Sequence, residues 1–329
     1  MSQFVVKRLL LMIPTLLFIS LVAFAIIQAP PGDFLNSYVS QLRLSGDLID
    51  QSVIDELRAR YGLDQPLVIQ YLKWMRGVFV GDFGQSFEWD MPVRDLIGER
   101  LLLTIVVSSA SILFTYLVAV PIGVYSATHQ YAAGDYLFTF FGFLGLATPN
   151  FLLALVLMFF LYYTFGLSIG GLFSPEFANA AWSLARVFDM LKHLLVPVIV
   201  IGTAGTAQLI RVMRASLLDE LRKQYVITAR AKGLAERRLL FRYPVRLALN
   251  PILSTAGYIL PQTISGATIT AVVLSLPTTG SLLLKALISQ DMYLAGSFIL
   301  LLAALTVIGT FVSDLMLAWV DPRIRFGGR

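Results

Sequence analysis

Cysteine is missing from all 329 residues. That excludes a disulfide framework, a thiolate metal site and a cysteine nucleophile, and it fits either side of a membrane. Charge is scarce as well. Only 14% of residues are charged and 57% are hydrophobic, whereas a soluble globular chain carries about 25% charged residues. The two histidines, His129 and His193, stand far apart in sequence, so neither a metal site nor a histidine relay is expected. There is no Gly-x-x-x-x-Gly-Lys-Ser/Thr phosphate loop, no Gly-Lys pair anywhere and no Gly-x-Ser-x-Gly elbow. Leu44-Ser-Gly-Asp47 looks like a fragment of an ATPase signature, but without a phosphate loop it is a chance match. No catalytic residue, metal or cofactor is therefore assigned to this chain.

What the chain does have is long apolar runs. A helix needs about 20 apolar residues to cross the hydrocarbon core. Six stretches qualify: Leu9–Ala29, Leu101–Thr128, Tyr136–Phe165, His193–Met213, Ile252–Leu276 and Leu294–Trp319. The expected class is an all-α integral membrane protein with about six transmembrane helices. The first run competes with a cleavable signal peptide, since Lys7-Arg8 precede it and Ala23-Phe24-Ala25 resembles a cleavage site. The apolar run continues to Ala29, which favours a retained helix.

The net charge of +5 describes topology rather than a nucleic-acid patch, because the basic residues flank the apolar runs. Arg211–Arg246 holds ten Lys/Arg against three Asp/Glu. Lys7-Arg8 before the first span, and Arg323, Arg325 and Arg329 after the last, fall on the same side if there are six spans. The positive-inside rule makes that side the cytoplasm, with both termini in it.

The expected organisation is a first transmembrane helix over 1–29, an outer segment over 30–100 and a core over 101–329 that carries a cytoplasmic segment at 215–250. The outer segment Pro30–Arg100 has seven Lys/Arg and eleven Asp/Glu. Val53–Tyr61 reads as a short helix stopped by Gly62. Val68–Val80 reads as a second helix interrupted at Gly77, and Gly81-Asp-Phe-Gly84 as a turn. Gly170-Gly171 and Pro175 break the next outer segment, in which Trp182–Met190 is placed along the membrane interface. Ala215–Lys232 contains neither Gly nor Pro, so it reads as one helical piece broken at Gly233. Ala235–Tyr243 follows as a second piece ended by Pro244. Such a basic elbow suits either docking to a partner outside the membrane or lying on anionic lipid.

The elbow also carries a family resemblance. Tyr225-Val-Ile-Thr-Ala-Arg-Ala-Lys-Gly-Leu234 resembles the cytoplasmic coupling motif of binding-protein-dependent ABC importer permeases, in particular the dipeptide/oligopeptide/nickel branch. Pro31-Gly32-Asp33, Tyr61-Gly-Leu-Asp-Gln-Pro-Leu67 with Gln70-Tyr71 and Trp74, and Gly81-Asp-Phe-Gly84 with Ser86 resemble that branch's outer segment. Ala147-Thr-Pro-Asn-Phe151, His193-Leu-Leu-Val-Pro197 and Asp321-Pro-Arg-Ile-Arg-Phe326 extend the likeness along the chain. The long outer segment resembles the B-type member of the permease pair. The pattern also departs. Ile227, Thr228 and Ala229 stand where the broader motif has Glu-Ala-Ala. Ala271 stands where many members carry an acid, and Pro277-Thr278-Thr279-Gly280 replaces a glycine-rich turn.

The resemblance implies a type I importer permease fold with an extended periplasmic segment after helix 1. Its implied partners are a second homologous permease, two ATPase subunits that hold ATP and Mg, a periplasmic solute-binding protein and membrane lipid. It implies that Tyr225, Thr228, Ala229, Arg230, Ala231, Lys232 and Gly233 couple the chain to an ATPase. Small Ala229 and Ala231 would allow close approach, and Gly233 a sharp exit. Arg230 and Lys232 would meet partner carboxylates, and Tyr225 would fill an apolar slot.

A path through the membrane needs polar groups at depth. Thr255, Tyr258, Gln262 and Ser265 share one helical face, with Gln262 the strongest candidate because a buried amide needs several partners. Interhelical hydrogen bonding explains the same Thr and Ser positions. Gly202, Gly205 and Gly266 read as sites of close helix packing, and Asp314 lies near the cytoplasmic end of the last span. A self-contained carrier would show inverted repeats and intramembrane charges, and a membrane-embedded enzyme a catalytic cluster. Neither is seen. Peptide is the expected cargo, with oligosaccharides, opines or metal complexes as alternatives.

Overall fold

A computed structural model describes residues 2–28, 52, 55, 59, 62, 64–86, 88–166, 170–178 and 180–320, with 2–4, 27, 99, 255–266 and 316–320 described by their backbone only. The helix expected over Val53–Tyr61 falls largely outside these residues, as does Asp321–Phe326. In order, the helices are α1 (Ser2–Gln28), α2 (Leu67–Val80), α3 (Val93–Thr128), α4 (Ala133–Ala147), α5 (Asn150–Phe165), α6 (Leu184–Leu221), α7 (Gln224–Ala231), α8 (Glu236–Arg242), α9 (Pro244–Val273), α10 (Thr279–Ile288) and α11 (Met292–Val320). One antiparallel bridge, Gln85 to Pro92, is the only β-type pairing among the described residues.

Among the described residues, three helices have the length and composition to cross a membrane: Val5–Ile26, Val93–Thr128 and Met292–Leu315. The third expected span is not one helix. It is α4 and α5, which meet at 105°. The cause is Pro149, whose ring disfavours α geometry in the preceding residue. Thr148 is accordingly extended, at φ −91° and ψ 120°, and its hydroxyl donates back to the Leu144 carbonyl at 2.8 Å. Counted as one span, the bent pair raises the number to four. The fourth expected span lies within the longer helix α6, and the fifth begins inside α9 and runs past its end at Val273. Pro14, Pro121 and Pro197 lie inside α1, α3 and α6 without ending them.

The chain divides into two compact units, one of Met1–Val5, Thr104–Pro277 and Ile308–Arg329, the other of Val6–Leu103 and Thr278–Val307. In the first, α3, α6 and α9 enclose a core of Val124, Leu209, Met213, Leu217, Val245 and Ile252. The approach of α3 to α6 is close: a methyl on Gly202 would lie 2.7 Å from Phe114, and one on Gly123 2.5 Å from Met213. The packing role expected of Gly202 and Gly205 holds, Gly205 facing Thr115. Gly266 lies outside the side chains described. Polar groups add interhelical bonds, Thr115 Oγ1 to the Gly202 carbonyl at 3.2 Å, Tyr116 to that of Ile252 at 3.2 Å and Ser313 to that of Leu253 at 2.8 Å.

α4 runs antiparallel to α6. A methyl on Gly145 would meet Thr203 at 2.7 Å, and at the other end Arg214 clasps Asp135 through two bonds of 2.9 and 2.8 Å. Asp135 is 3% exposed, so this pair satisfies a buried carboxylate that would otherwise be costly. The stretch before α6 is knitted by side chains. Arg186 lies between the rings of Phe173 and Trp182, 4.5 Å from each centroid. Asp189 accepts the Ser174 N–H and hydroxyl at 2.7 and 2.6 Å. Of Trp182–Met190, the residues from Leu184 on belong to α6. Ser183 caps α6 by accepting the Arg186 N–H, and the helix continues unbroken through His193.

In the second unit, α1, α2, α10 and the first parts of α3 and α11 share a core that includes Phe24, Trp74, Val93, Leu294 and Phe298. Gly77 does not interrupt α2. The helix closes at Gly81, φ 78°, and the Asp82 N–H returns to the Gly77 carbonyl at 2.9 Å. A methyl on Gly77 would lie 2.5 Å from the Asp82 oxygen, so glycine is needed for the wrap of the chain rather than for a break. Beyond this turn, buried Asp291 collects the Ser86 hydroxyl at 2.5 Å, the Glu88 N–H at 3.2 Å and the Leu294 N–H at 3.1 Å. It thereby caps α11 and ties it to the Gly81–Ser86 turn.

Candidate functional site

The basic elbow occupies α7, α8 and their junctions. The single helix expected over Ala215–Lys232 is broken at Arg222-Lys223, where Lys223 is extended at φ −74° and ψ 148°. Neither Gly nor Pro causes this. Glu220 gathers the Lys223 ammonium at 2.6 Å and the Tyr225 hydroxyl at 2.7 Å, while Val226 is fully buried. Burial of Val226 and the contacts on Glu220 outweigh a helix propensity worth only tenths of a kcal/mol per residue.

The second junction follows from Gly233. The Gly233 N–H meets the Arg230 carbonyl at 3.0 Å and the Leu234 N–H meets that of Ala229 at 3.3 Å. This is the Schellman pattern, with its left-handed residue at φ 78°. α8 is pinned by Leu239, fully buried, and α9 begins with Pro244 in its first turn, where a missing N–H costs nothing.

The structure brings the seven predicted coupling residues together on one short element. Thr228, Arg230, Ala231, Lys232 and Gly233 are exposed, and Tyr225 and Ala229 half-buried. Two of them bond carboxylates within the chain. Tyr225 lines the groove beside α7 while its hydroxyl donates to Glu220 at 2.7 Å. Burial and then that bond push its hydroxyl above the ordinary tyrosine range. Arg230 is engaged within the chain, donating to both Glu236 oxygens at 3.0 and 2.6 Å. Lys232 stays at the surface. An open groove of about 880 Å³ beside α7 carries Lys232, Arg242 and Arg246 on its walls.

Sequence reasoning missed Glu220, Glu236 and Ile227. Ile227 is 48% exposed on the elbow, an apolar side chain presented at the surface. Glu236 was legible only as an acid in the first turn of a helix. Its pairing spans six residues around a left-handed turn, which helical periodicity does not anticipate.

The Arg230 guanidinium holds the Glu236 carboxyl below the usual carboxylate range. A lowered folded value means that the pair contributes above the ordinary carboxylate range and is lost as pH falls through the lowered value. Between pH 6 and 8 the pair should be pH-independent. Both side chains are more than half exposed, so about 1 M salt, with a Debye length near 3 Å, should weaken it. Glu236→Gln should accelerate hydrogen exchange at the Gly233 and Leu234 amides by a few-fold at neutral pH. Equal exchange in variant and parent would show the pair to be idle.

Thr255, Tyr258, Gln262 and Ser265 all lie within continuous α9, but their side chains are outside those described. Of the departures from the family pattern, Ala271 is buried at 3% exposure. Thr278 and Thr279 start α10, both buried.

Two family models cover nearly all of the chain. The binding-protein-dependent transport system inner membrane component matches residues 119–326, and the N-terminal part of such membrane components matches residues 1–110. The chain is 34% identical over 328 residues to the oligopeptide transport system permease protein AppB of Bacillus subtilis, covering 99% of this chain and 100% of that one. It is 30% identical over 368 residues to the inner membrane ABC transporter permease protein YejB of Escherichia coli O157:H7, covering 100% of each. It is 29% identical over 341 residues to the dipeptide transport system permease protein DppB of Escherichia coli K12, covering 99% of each. With the apolar helices and the elbow, these likenesses make this an all-α, multi-pass permease of the inner membrane with the type I ABC permease fold: the chain belongs to the inner membrane components of binding-protein-dependent transport systems.

Proposed function

We propose that the chain is the B-type half of the translocation path of an ATP-driven importer, and that it carries peptides delivered by a periplasmic binding protein. The observation that carries this reading is the elbow. A short helix with small, exposed residues is anchored from behind by Val226 and Leu239 and offers a groove rimmed with three cations. Its partners are a second homologous permease and two ATPases that hold ATP and Mg. This chain has no phosphate loop of its own, so work reaches it from outside. Closure of the ATPases moves the elbow, and α6 and α9, continuous with it on either side, carry the displacement into the membrane. Lys232 reaches partner carboxylates, and Ile227 supplies apolar contact. Six spans, cytoplasmic termini and a path along the Thr255, Tyr258, Gln262 and Ser265 face complete the arrangement. The peptide cargo is supported by the names of the relatives. Selectivity resides mainly in the binding protein.

Purification from the native membrane should bring down a second permease and two ATPases. Mass spectrometry of the partner binding protein should find bound peptide. If the chain is isolated alone and transports in proteoliposomes without ATP, the importer reading fails. If the complex assembles around a binding protein loaded with sugar or a metal complex, only the cargo assignment fails.

A further inference from the structure

Where α4 and α6 diverge they leave a groove of about 270 Å³. Its walls are apolar: Phe138, Phe143 and Leu146 come from α4, with Gly142 lowering the floor. Phe143 is 57% exposed. Its mouth, at the elbow end of α6, is different in character. Arg211 and Arg214 stand there beside Tyr131 and Tyr136. The charge of Arg214 is matched by Asp135, but Arg211 is exposed and meets no partner among the described residues. Among the described residues the mouth therefore keeps one uncompensated positive charge.

The mouth is also built. Tyr131 has φ 66°, a left-handed conformation uncommon for a tyrosine. It is held there because its N–H donates to Asp135 Oδ2 at 3.0 Å, the carboxylate Arg214 already clasps. The ion pair thus sets the position of an aromatic side chain at the groove's polar end. Backbone strain kept by a buried charge pair points to a function for the place where it occurs.

An apolar channel with a cation and tyrosines at one end matches an amphiphile. Tyrosine favours the membrane–water boundary, and arginine forms charge-assisted bonds with phosphate oxygens. A volume of about 270 Å³ suits part of an alkyl chain rather than a partner helix about 10–12 Å across. We propose that the α4–α6 groove holds one anionic phospholipid of the elbow-side leaflet, with its phosphate on Arg211 and an acyl chain over Gly142 against Phe143. Charge selects the lipid, because the mouth has a net positive charge that a zwitterionic headgroup does not match.

The test uses the intact importer complex, purified in mild detergent with phosphatidylglycerol, and counts retained lipid by native mass spectrometry. Arg211→Gln should lower phosphatidylglycerol retention about fivefold, the equivalent of ~1 kcal/mol per basic residue at an anionic surface. Arg211→Lys should keep most of it. Gly142→Leu should lower retention at least as much by filling the channel. A methyl at Gly142 would only touch Ala207 at 3.9 Å, so the α4–α6 packing is not disturbed near the backbone. Equal retention in the parent, Arg211→Gln and Gly142→Leu complexes would overturn the proposal. So would loss in Arg211→Gln alone, since a bare phosphate or headgroup contact ignores the channel. A photoreactive phenylalanine at position 143 in the otherwise unaltered complex should label lipid, and labelling of the second permease instead would also overturn it. None of these measurements depends on the cargo.

Discussion

Replacing Gly233 with valine should leave the importer complex assembled and hydrolysing ATP while uptake falls about tenfold, the effect of ~1–2 kcal/mol of left-handed strain on the elbow. Gly233 has φ 78°, and no atom beyond its two chain neighbours lies within 4 Å of where its Cβ would be. The substitution therefore meets no clash, and any effect reports the backbone alone. This distinguishes it from most glycine substitutions, in which crowding and strain are mixed. A graded series follows. Asparagine enters the left-handed region readily and should stay near the parent, alanine should be intermediate, and β-branched valine should be worst. The measurement is uptake and ATP turnover in the same proteoliposomes. Unchanged uptake per ATP in Gly233→Val would remove the elbow from the coupling step.

The second large effect is expected in the other unit. Asp291→Ala should open that unit locally on the order of 100-fold more often, as three polar groups losing their acceptor cost about 1 kcal/mol each. Asp291 is fully buried and receives the Ser86 hydroxyl and the Glu88 and Leu294 N–H groups. Truncation strands all three and uncaps α11. Asp291→Asn keeps an acceptor oxygen and should lose less, and Ser86→Ala removes one donor and should lose least. Hydrogen exchange at the Glu88 and Leu294 amides reads the opening directly. If all three variants exchange like the parent, the carboxylate does not hold this turn to α11.

What the sequence revealed, and what it hid, follows from the range of each interaction. Gly233 was legible because a Gly between two helical pieces needs a reason, and a left-handed cap is the usual one. The small, exposed face of α7 followed from residue types alone. The break at Arg222 was not legible, since its cause is Glu220 gathering two side chains while Val226 is buried, and propensity carries no trace of either. Ser86 stood out only as part of a family string. Its partner lies 205 residues away, a contact no periodicity encodes. Pro149 was in plain view, yet a 30-residue apolar run outweighed it in the reading of the third span. That weighting was wrong, because a proline's effect on the preceding residue is local and steric whereas apolarity only permits a helix.

The bend at Pro149 has a consequence for the parity of the chain. α4 and α5 hold 15 and 16 residues, about 22–24 Å each at 1.5 Å per residue, and a bilayer core is near 30 Å thick. Neither arm crosses alone, so the pair counts either as one crossing or as none, and each choice assigns the following loops to opposite waters. The bond between Asp135 and Arg214 places the start of α4 at the elbow end of α6, so the chain that leaves that end through α4 comes back to it through α6. Whatever depth α6 covers on the return, α4 and α5 together with the loop after them cover on the way out, and one buried carboxylate ties the two counts together.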